Sequence, residues 1–300
     1  MHTYRFVICA MLLVLLAGCA TQSAPPAPAA TPAAGAVTAT AAPAPTATVT
    51  PSPTAAPTAA PELCGEKEGR VETVEIPSQV LPRPLQARVY LPPCYQDGAG
   101  QPYPLLVLLH GQGADAGQWE RLGVTRKAEA LAARGLLPPL IIAMPYEQDN
   151  LADPNTVNLD AAVVEELLPW LAREYNACGE RACRAVGGIS RGAAWAVRAG
   201  LGHGQPFAAV GLHSLAPFYG DYNRLPYLAR EIEPGSAPAV WMDTGNRDRF
   251  LSQARHYHGL LEEYDVAHEY HLFAGEHDEV YWARVLERYL RWYGEQLGGE

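Results

Sequence analysis

Positive charge is scarce in this chain. Lysine and arginine number 22 against 32 aspartates and glutamates, a formal net charge of −10. That deficit argues against nucleic acid as a partner and against a polybasic contact with a membrane surface; beyond that it implies only solubility. Cysteine is sparse as well, six in 300 residues, and no C-x-x-C occurs, so the commonest zinc spacing is missing. The nine histidines do not supply one. His256 and His258 are two apart in an expected helix and point in different directions, while His268 and His271 are three apart in an expected strand and face opposite sides. No metal and no cofactor is expected.

The opening residues lack the length for a comfortable membrane span. A single early arginine, Arg5, precedes a short apolar run from Phe6 to Ala17, the pattern of an export leader. The run ends in Leu16-Ala17-Gly18-Cys19, which resembles a bacterial lipobox. The resemblance implies removal of residues 1–18, lipidation of Cys19, and an exported, cell-surface or periplasmic protein held to a membrane by that lipid. An ordinary leader followed by a chance cysteine is the alternative. From Ala20 to Pro61 there is no charge and no aromatic residue, only alanine, proline, threonine and serine with few exceptions. Such a stretch cannot bury enough apolar surface to offset its ordering entropy, so residues 19–61 are expected to form a disordered tether and 62–300 the folded domain. Cys9 would leave with the leader. Four cysteines remain, an even count that favours disulfides in an exported protein. Proximity favours Cys64–Cys94 and Cys178–Cys183 among the three possible pairings.

Within the domain, Val71–Ile76 and Leu85–Tyr90 read as an antiparallel hairpin. Tyr103–Leu109 is continuously apolar, as a strand buried on both faces would be, and Leu140–Met144 repeats that pattern. Trp119–Arg134 has helical spacing, and Val157–Tyr175 reads as a helix with a kink expected near Pro169. Further strands are expected at Ala185–Gly188, Ala208–His213, Val240–Thr244 and His268–Phe273. Helices are expected at Ser190–Gly200, Phe250–Tyr264 and Glu279–Leu297. A hairpin followed by alternating strand and helix predicts an α/β fold, a mostly parallel sheet with helices on both faces, whose chemistry lies at the carboxyl ends of strands.

The candidate site residues fall at those ends. Gly188-Ile189-Ser190-Arg191-Gly192 is a G-x-S-x-G nucleophile elbow, a sharp strand-to-helix turn that lifts a serine hydroxyl into the open. A tetrahedral oxyanion needs two N–H donors. Arg191, just after the serine, supplies one; Gln112, in the turn His110-Gly111-Gln112-Gly113, is chosen for the other. His110 precedes the elbow and is read as a structural member of that turn; with Trp119 and Trp282 it is placed beside the substrate pocket. Two aspartates compete for the acid: Asp243, inside a strand and fixed by the pleat, and Asp248, in the loop beyond it, which is favoured. His277, in the loop before the last helix, is the expected base. The order Ser190, Asp248, His277 is that of α/β-hydrolases.

The stretches LLVLLHGQGADAGQW, GGISRGAAWA, WMDTGNRDRFL and AGEHDEVYWARVL together resemble the esterase D group of α/β-hydrolases, over about Val71 to Tyr293. That group includes feruloyl and acetyl-xylan esterases, S-formylglutathione hydrolases, enterochelin esterases and mycolyltransferases. The resemblance puts the nucleophile on Ser190, the acid of a G-x-x-D pattern on Asp248, and the base on His277, with Trp282 at the aromatic position. Two departures stand out. Glu279 replaces a tryptophan frequent in the carbohydrate-active members, and Ala193 stands where a second glycine is common. The expected activity is a serine carboxylesterase acting on an extracellular ester, a small molecule or an acyl or feruloyl group on polysaccharide. An acyltransferase with the same three residues, or a binding lipoprotein that keeps the fold without turnover, are the alternatives. Ala216–Pro238, rich in tyrosine and proline, is expected to cap the pocket as a loop or to form a surface excursion.

Overall fold

A computed structural model describes residues 64–298, apart from 99, 233 and 234. The leader, Cys19, the tether and the expected domain start at Glu62 lie outside the described residues. Eight strands form one sheet: β1 (Arg70–Ile76), β2 (Leu85–Leu91), β3 (Leu105–Leu109), β4 (Ile141–Pro145), β5 (Arg184–Ile189), β6 (Ala209–His213), β7 (Ala239–Gly245) and β8 (Glu269–Phe273). Their order is β1-β2-β4-β3-β5-β6-β7-β8, antiparallel between β1, β2 and β4 and parallel from β4 onwards. β3 and β4 are flanked on both sides by paired strands and buried along their whole length, which is why they read as unbroken apolar runs.

Alternate residues of β3 divide the core. Leu105, Val107 and Leu109 pack on one face with α3 (Leu159–Ala161), α4 (Leu168–Glu174), α5 (Arg191–Leu201), α6 (Asp221–Glu231) and α7 (Leu251–Glu263). Leu106 and Leu108 pack on the other, with α1 (Gln118–Arg121), α2 (Val124–Ala132) and α8 (Glu279–Leu297). The period-two geometry of a strand turns one apolar run into two cores. Cys64 is bonded to Cys94 and Cys178 to Cys183, with Cα separations of 5.7 and 6.1 Å.

Three elements differ from expectation. The helix predicted over Trp119–Arg134 is two, α1 and α2, broken at Gly123, whose φ of 88° is left-handed. The predicted kink near Pro169 is a π-helical segment, Ala162–Leu167, placed immediately before it; Pro169 sits in the first turn of α4. A proline has no N–H to give to the preceding turn, and the wider π register accommodates that loss. The tyrosine- and proline-rich stretch expected as a loop contains α6, with Pro226 inside it. Its start is held by Asp221, which is buried and ion-paired with Arg198 at 2.9 Å. His268 falls just outside β8 and donates or accepts within a contact to His258 at 2.7 Å.

Candidate active site

β5 sits near the middle of the sheet and delivers Ser190 at its carboxyl end with φ 57° and ψ −114°. A non-glycine residue there is strained, and the surrounding bonds hold it: Ser190 N–H donates to His213 O of the next strand at 2.9 Å, and Ala193 N–H to Ser190 O at 3.1 Å. The two glycines of the elbow are there for space. A methyl on Gly188 would strike the backbone of Gly192, and one on Gly192 would strike the carbonyl oxygens of Leu109 and His110. Strand, elbow and the turn after β3 are therefore stacked backbone on backbone. Gly192→Ala should displace the elbow enough to cost about 100-fold in turnover, with a lowered melting temperature, measurable by ester kinetics beside a thermal melt. A variant with unchanged kcat would refute this reading of the glycine.

The side chains converge at short range. Ser190 Oγ donates to His277 Nε2 at 2.8 Å, and His277 Nδ1–H donates to Asp248 at 2.8 and 3.0 Å. The side chains of His277 and Asp248 are 3% and 0% exposed, so water does not compete for this bond. Asp248 Oδ1 also accepts from Phe250 N–H at 2.7 Å. The loops that carry Asp248 and His277 are stitched together. Asn246 N–H donates to Phe273 O, Arg247 N–H to Gly275 O, and Gly275 N–H to Asn246 Oδ1, at 2.7, 2.8 and 3.1 Å. The imidazole is held edge-on by two rings, Phe250 at 4.8 Å and Trp282 at 5.2 Å between centroids, and the Trp282 N–H is fixed on Ser214 Oγ at 3.0 Å. Asp278, next to His277, caps α8 through Tyr281 N–H at 2.8 Å.

Arg191 is the first residue of α5, so its N–H is one of those a helix leaves unpaired. Its side chain does separate work. The guanidinium grips the buried carboxylate of Glu147 through contacts of 2.5 to 3.0 Å and reaches Ala152 O at 3.1 Å. Glu147 N–H donates to His110 Nε2 at 3.0 Å, which leaves His110 Nδ1–H to meet Gly111 O at 2.8 Å. Burial holds the His110 pKa below its ordinary value, as a neutral, hydrogen-bonded imidazole requires. Gln112 lines the cleft and its N–H has no partner among the described residues.

The cleft over Ser190 has a volume of about 940 Å³ and is lined by Gln112, Phe218, Tyr219, Phe250, His277 and Trp282, among others. A second cavity, between Val80–Leu85 and Tyr146–Leu159, holds only about 60 Å³ and contains none of the three converging side chains. Two expected pocket residues are absent from the cleft. His110 is buried, and Trp119 is 1% exposed with its N–H on Leu109 O at 3.1 Å. Both are frame: their ring nitrogens are taken up by backbone groups, Gly111 O and Glu147 N–H for His110 and Leu109 O for Trp119. Of the tyrosines in the Ala216–Pro238 stretch, Tyr219 reaches the cleft; Tyr222 and Tyr227 line a different groove beside α7. Asp243 is also away from the site. It is 0% exposed and bound by His213, Trp241, Tyr281 and Tyr289, while His277 Nδ1 is taken by Asp248. Residues missed by sequence reasoning include Glu147, Asn246, Ser214, Gln118 and Asn150. Their partners are backbone groups or distant side chains, which leave no spacing pattern to find.

Residues 78–293 match the sequence model of the esterase family described as "Putative esterase". The chain belongs to that family. This esterase is accordingly a hydrolase of carboxylic ester bonds. Its fold is shared by solved structures at low identity. A ferulic acid esterase is 23% identical, with 77% of this chain and 99% of that chain covered and a TM-score of 0.67. A ferulic acid esterase from Anaeromyces mucronatus, solved with ferulic acid, is 18% identical over 78% and 93%, with a TM-score of 0.64. A fluorophosphonate-binding serine hydrolase from Staphylococcus aureus is 17% identical over 75% and 98%, with a TM-score of 0.63. These likenesses establish the α/β-hydrolase fold for the esterase domain.

Proposed function

We propose that this esterase is a serine carboxylesterase in which Ser190 is the nucleophile, His277 the general acid and base, and Asp248 the residue that orients it. The observation that carries the reading is the unbroken line from Ser190 Oγ through His277 to Asp248, all contacts at 3.0 Å or less. Ser190 Oγ attacks the ester carbonyl carbon as its proton passes to His277 Nε2, and the carbonyl π pair moves onto oxygen. The N–H groups of Gln112 and Arg191 stabilise that oxyanion. Collapse of the tetrahedral species expels the alcohol, which leaves with the proton from His277. Water then repeats the sequence on the acyl-enzyme, and the free acid departs with Ser190 restored. Asp248 accepts the Nδ1–H throughout, so Nε2 is the nitrogen that faces the serine.

The proposed substrate is an extracellular ester of a small alcohol or a carbohydrate, with an acyl or feruloyl group. Support comes from the roomy cleft with its aromatic wall of Phe218, Tyr219, Phe250 and Trp282, and from neighbours that are ferulic acid esterases. The proposed address is outside the cytoplasm, anchored at Cys19; the two disulfides and the lipobox-like LAGC support it. The test is hydrolysis of p-nitrophenyl acetate, butyrate and octanoate and of methyl ferulate, with glycerol added in a parallel series. Free acid is expected as the main product in both. A glycerol ester as the main product would make the protein an acyltransferase, and an inert protein that still binds the esters would make it a binding lipoprotein.

A further inference from the structure

The turn that follows β3 is held from both sides by uncharged side chains that the chemistry described so far does not use. Ala114 N–H closes on Gly111 O at 3.2 Å, and Gly113 has φ 76°, which makes Gly111–Ala114 a type II turn with glycine at the position that requires a positive φ. Gln112 occupies the other central position. On one side of it, Gly111 N–H donates to Gln118 Oε1 at 2.8 Å. On the other, Gly113 N–H donates to Asn150 Oδ1 at 3.0 Å, and Asn150 Nδ2 donates back to Ala114 O at 3.0 Å. Gln118 and Asn150 are 4% and 7% exposed. Gln118 Nε2 in turn donates to Glu279 Oε1 at 3.2 Å, and Glu279 is two residues beyond His277.

We infer that Gln118 and Asn150 are positioning residues for the oxyanion. The inference rests on the proposed role of Gln112 as an oxyanion donor. By engaging the amides of Gly111 and Gly113, the two side chains leave Gln112 N–H as the free donor of the turn and fix the peptide plane that carries it. Both are amides, and the choice has a physical reason. A carboxylate could accept the same glycine N–H, yet it would place a negative charge beside a position where negative charge must develop. Gln118 has a second consequence. Its two ends join the oxyanion turn to the segment that bears the base, so the donor and the proton acceptor are placed relative to each other by one side chain. An oxyanion donor is effective only within a narrow distance range, which is why such a tie matters more for turnover than for substrate affinity.

The test uses three variants at Gln118 in the full chain, and a fourth at Asn150: Gln118→Met, which removes acceptor and donor; Gln118→Glu, which keeps the acceptor; and Gln118→Glu combined with Glu279→Gln, which exchanges donor and acceptor. The readouts are kcat and KM on a p-nitrophenyl ester, and inhibition by an aryl trifluoromethyl ketone, whose adduct with a serine carries an oxyanion. Gln118→Met should lose about 10- to 100-fold in kcat with KM changed by less than about threefold. Its affinity for the ketone should fall in the same proportion as kcat/KM. The double exchange should recover at least about tenfold over Gln118→Glu alone, since both bonds reform and two facing carboxylates become one, while the charge left at position 118 keeps it below the parent. Asn150→Asp, close in shape and retaining the Gly113 acceptor, should show the same kcat-dominated loss, and it keeps the test open should Gln118→Met not fold. Variants with the parent's kcat, a loss in kcat without a matching loss of ketone affinity, or an exchange no better than Gln118→Glu would each overturn the assignment. A parent that hydrolyses no ester would instead overturn the esterase reading beneath it.

Discussion

Replacing Ser190 with alanine is expected to lower kcat by about a millionfold while the melting temperature stays within about one degree of the parent. The two halves of that expectation have separate physical grounds. Removing Oγ removes the proposed nucleophile and leaves His277 Nε2, 2.8 Å away, facing an empty position. The hydroxyl contributes little to the fold, because Ser190 makes no side-chain cap for α5 and, among the described residues, its hydroxyl bonds only to His277. The strained backbone is set by bonds that alanine keeps, namely Ser190 N–H to His213 O and Ala193 N–H to Ser190 O. Asp248→Asn should be less severe, about ten-thousandfold, because the geometry survives while the imidazole tautomer does not. Kinetics on a p-nitrophenyl ester, with a thermal melt of each variant, decides the matter. A Ser190→Ala protein that still turns over at a tenth of the parent rate would sink the nucleophile assignment.

The second large effect concerns stability. Asp243→Ala should cost about 3–5 kcal/mol and lower the melting temperature by roughly 10–15 °C. Asp243 lies inside β7 and accepts four bonds. His213 Nδ1–H and Trp241 Nε1–H reach Oδ1 at 2.8 and 3.0 Å, while the hydroxyls of Tyr281 and Tyr289 reach Oδ2 at 2.6 and 2.8 Å. Alanine would leave all four donors buried without a partner, and unsatisfied donors are costly in a dry interior. The network extends further. His213 Nε2 meets Tyr293 OH at 2.9 Å, and that phenol lies where Gly187 and Gly211 leave room, since a methyl on either would collide with it. Burial, and then the negative charge of Asp243, push the phenols of Tyr289 and Tyr293 well above their ordinary pKa, so they remain donors across the accessible pH range. The same variant separates the two aspartates that competed as acid. If Asp243→Ala keeps its melting temperature and loses turnover as Ser190→Ala does, Asp243 is catalytic and the structural assignment is wrong.

The parts of the site that were legible from the chain alone are those whose position follows from topology. A parallel sheet places the end of every strand at one rim, so a serine after β5, an aspartate after β7 and a histidine after β8 must come near one another. The preference for Asp248 over Asp243 followed from the same rule, because only the residue beyond the strand end is free to turn towards the base. Gln118 and Asn150 could not be found that way. Their partners are backbone amides 7 and 37 residues distant, and an amide side chain that meets a peptide N–H has no sequence signature. Trp119 misled for a related reason. An aromatic residue close to a catalytic turn reads equally well as pocket or as frame, and only the bond from its indole to Leu109 O decides. Pro226 hid α6, since a proline lowers helical expectation even where a buried Arg198–Asp221 pair holds the first turn.

The bond between Cys64 and Cys94 has a mechanical consequence. Both strands of the antiparallel hairpin, β1 and β2, lie between those two cysteines in the chain. A pull applied through residue 64 therefore crosses the sulfur bridge to Cys94 and continues towards β3, where the strand is clamped between β4 and β5. The exposed edge strand carries none of the load. Were the domain held through the proposed anchor at Cys19, tension entering at residue 64 would leave the hairpin slack and would be borne by β3, which is paired on both sides.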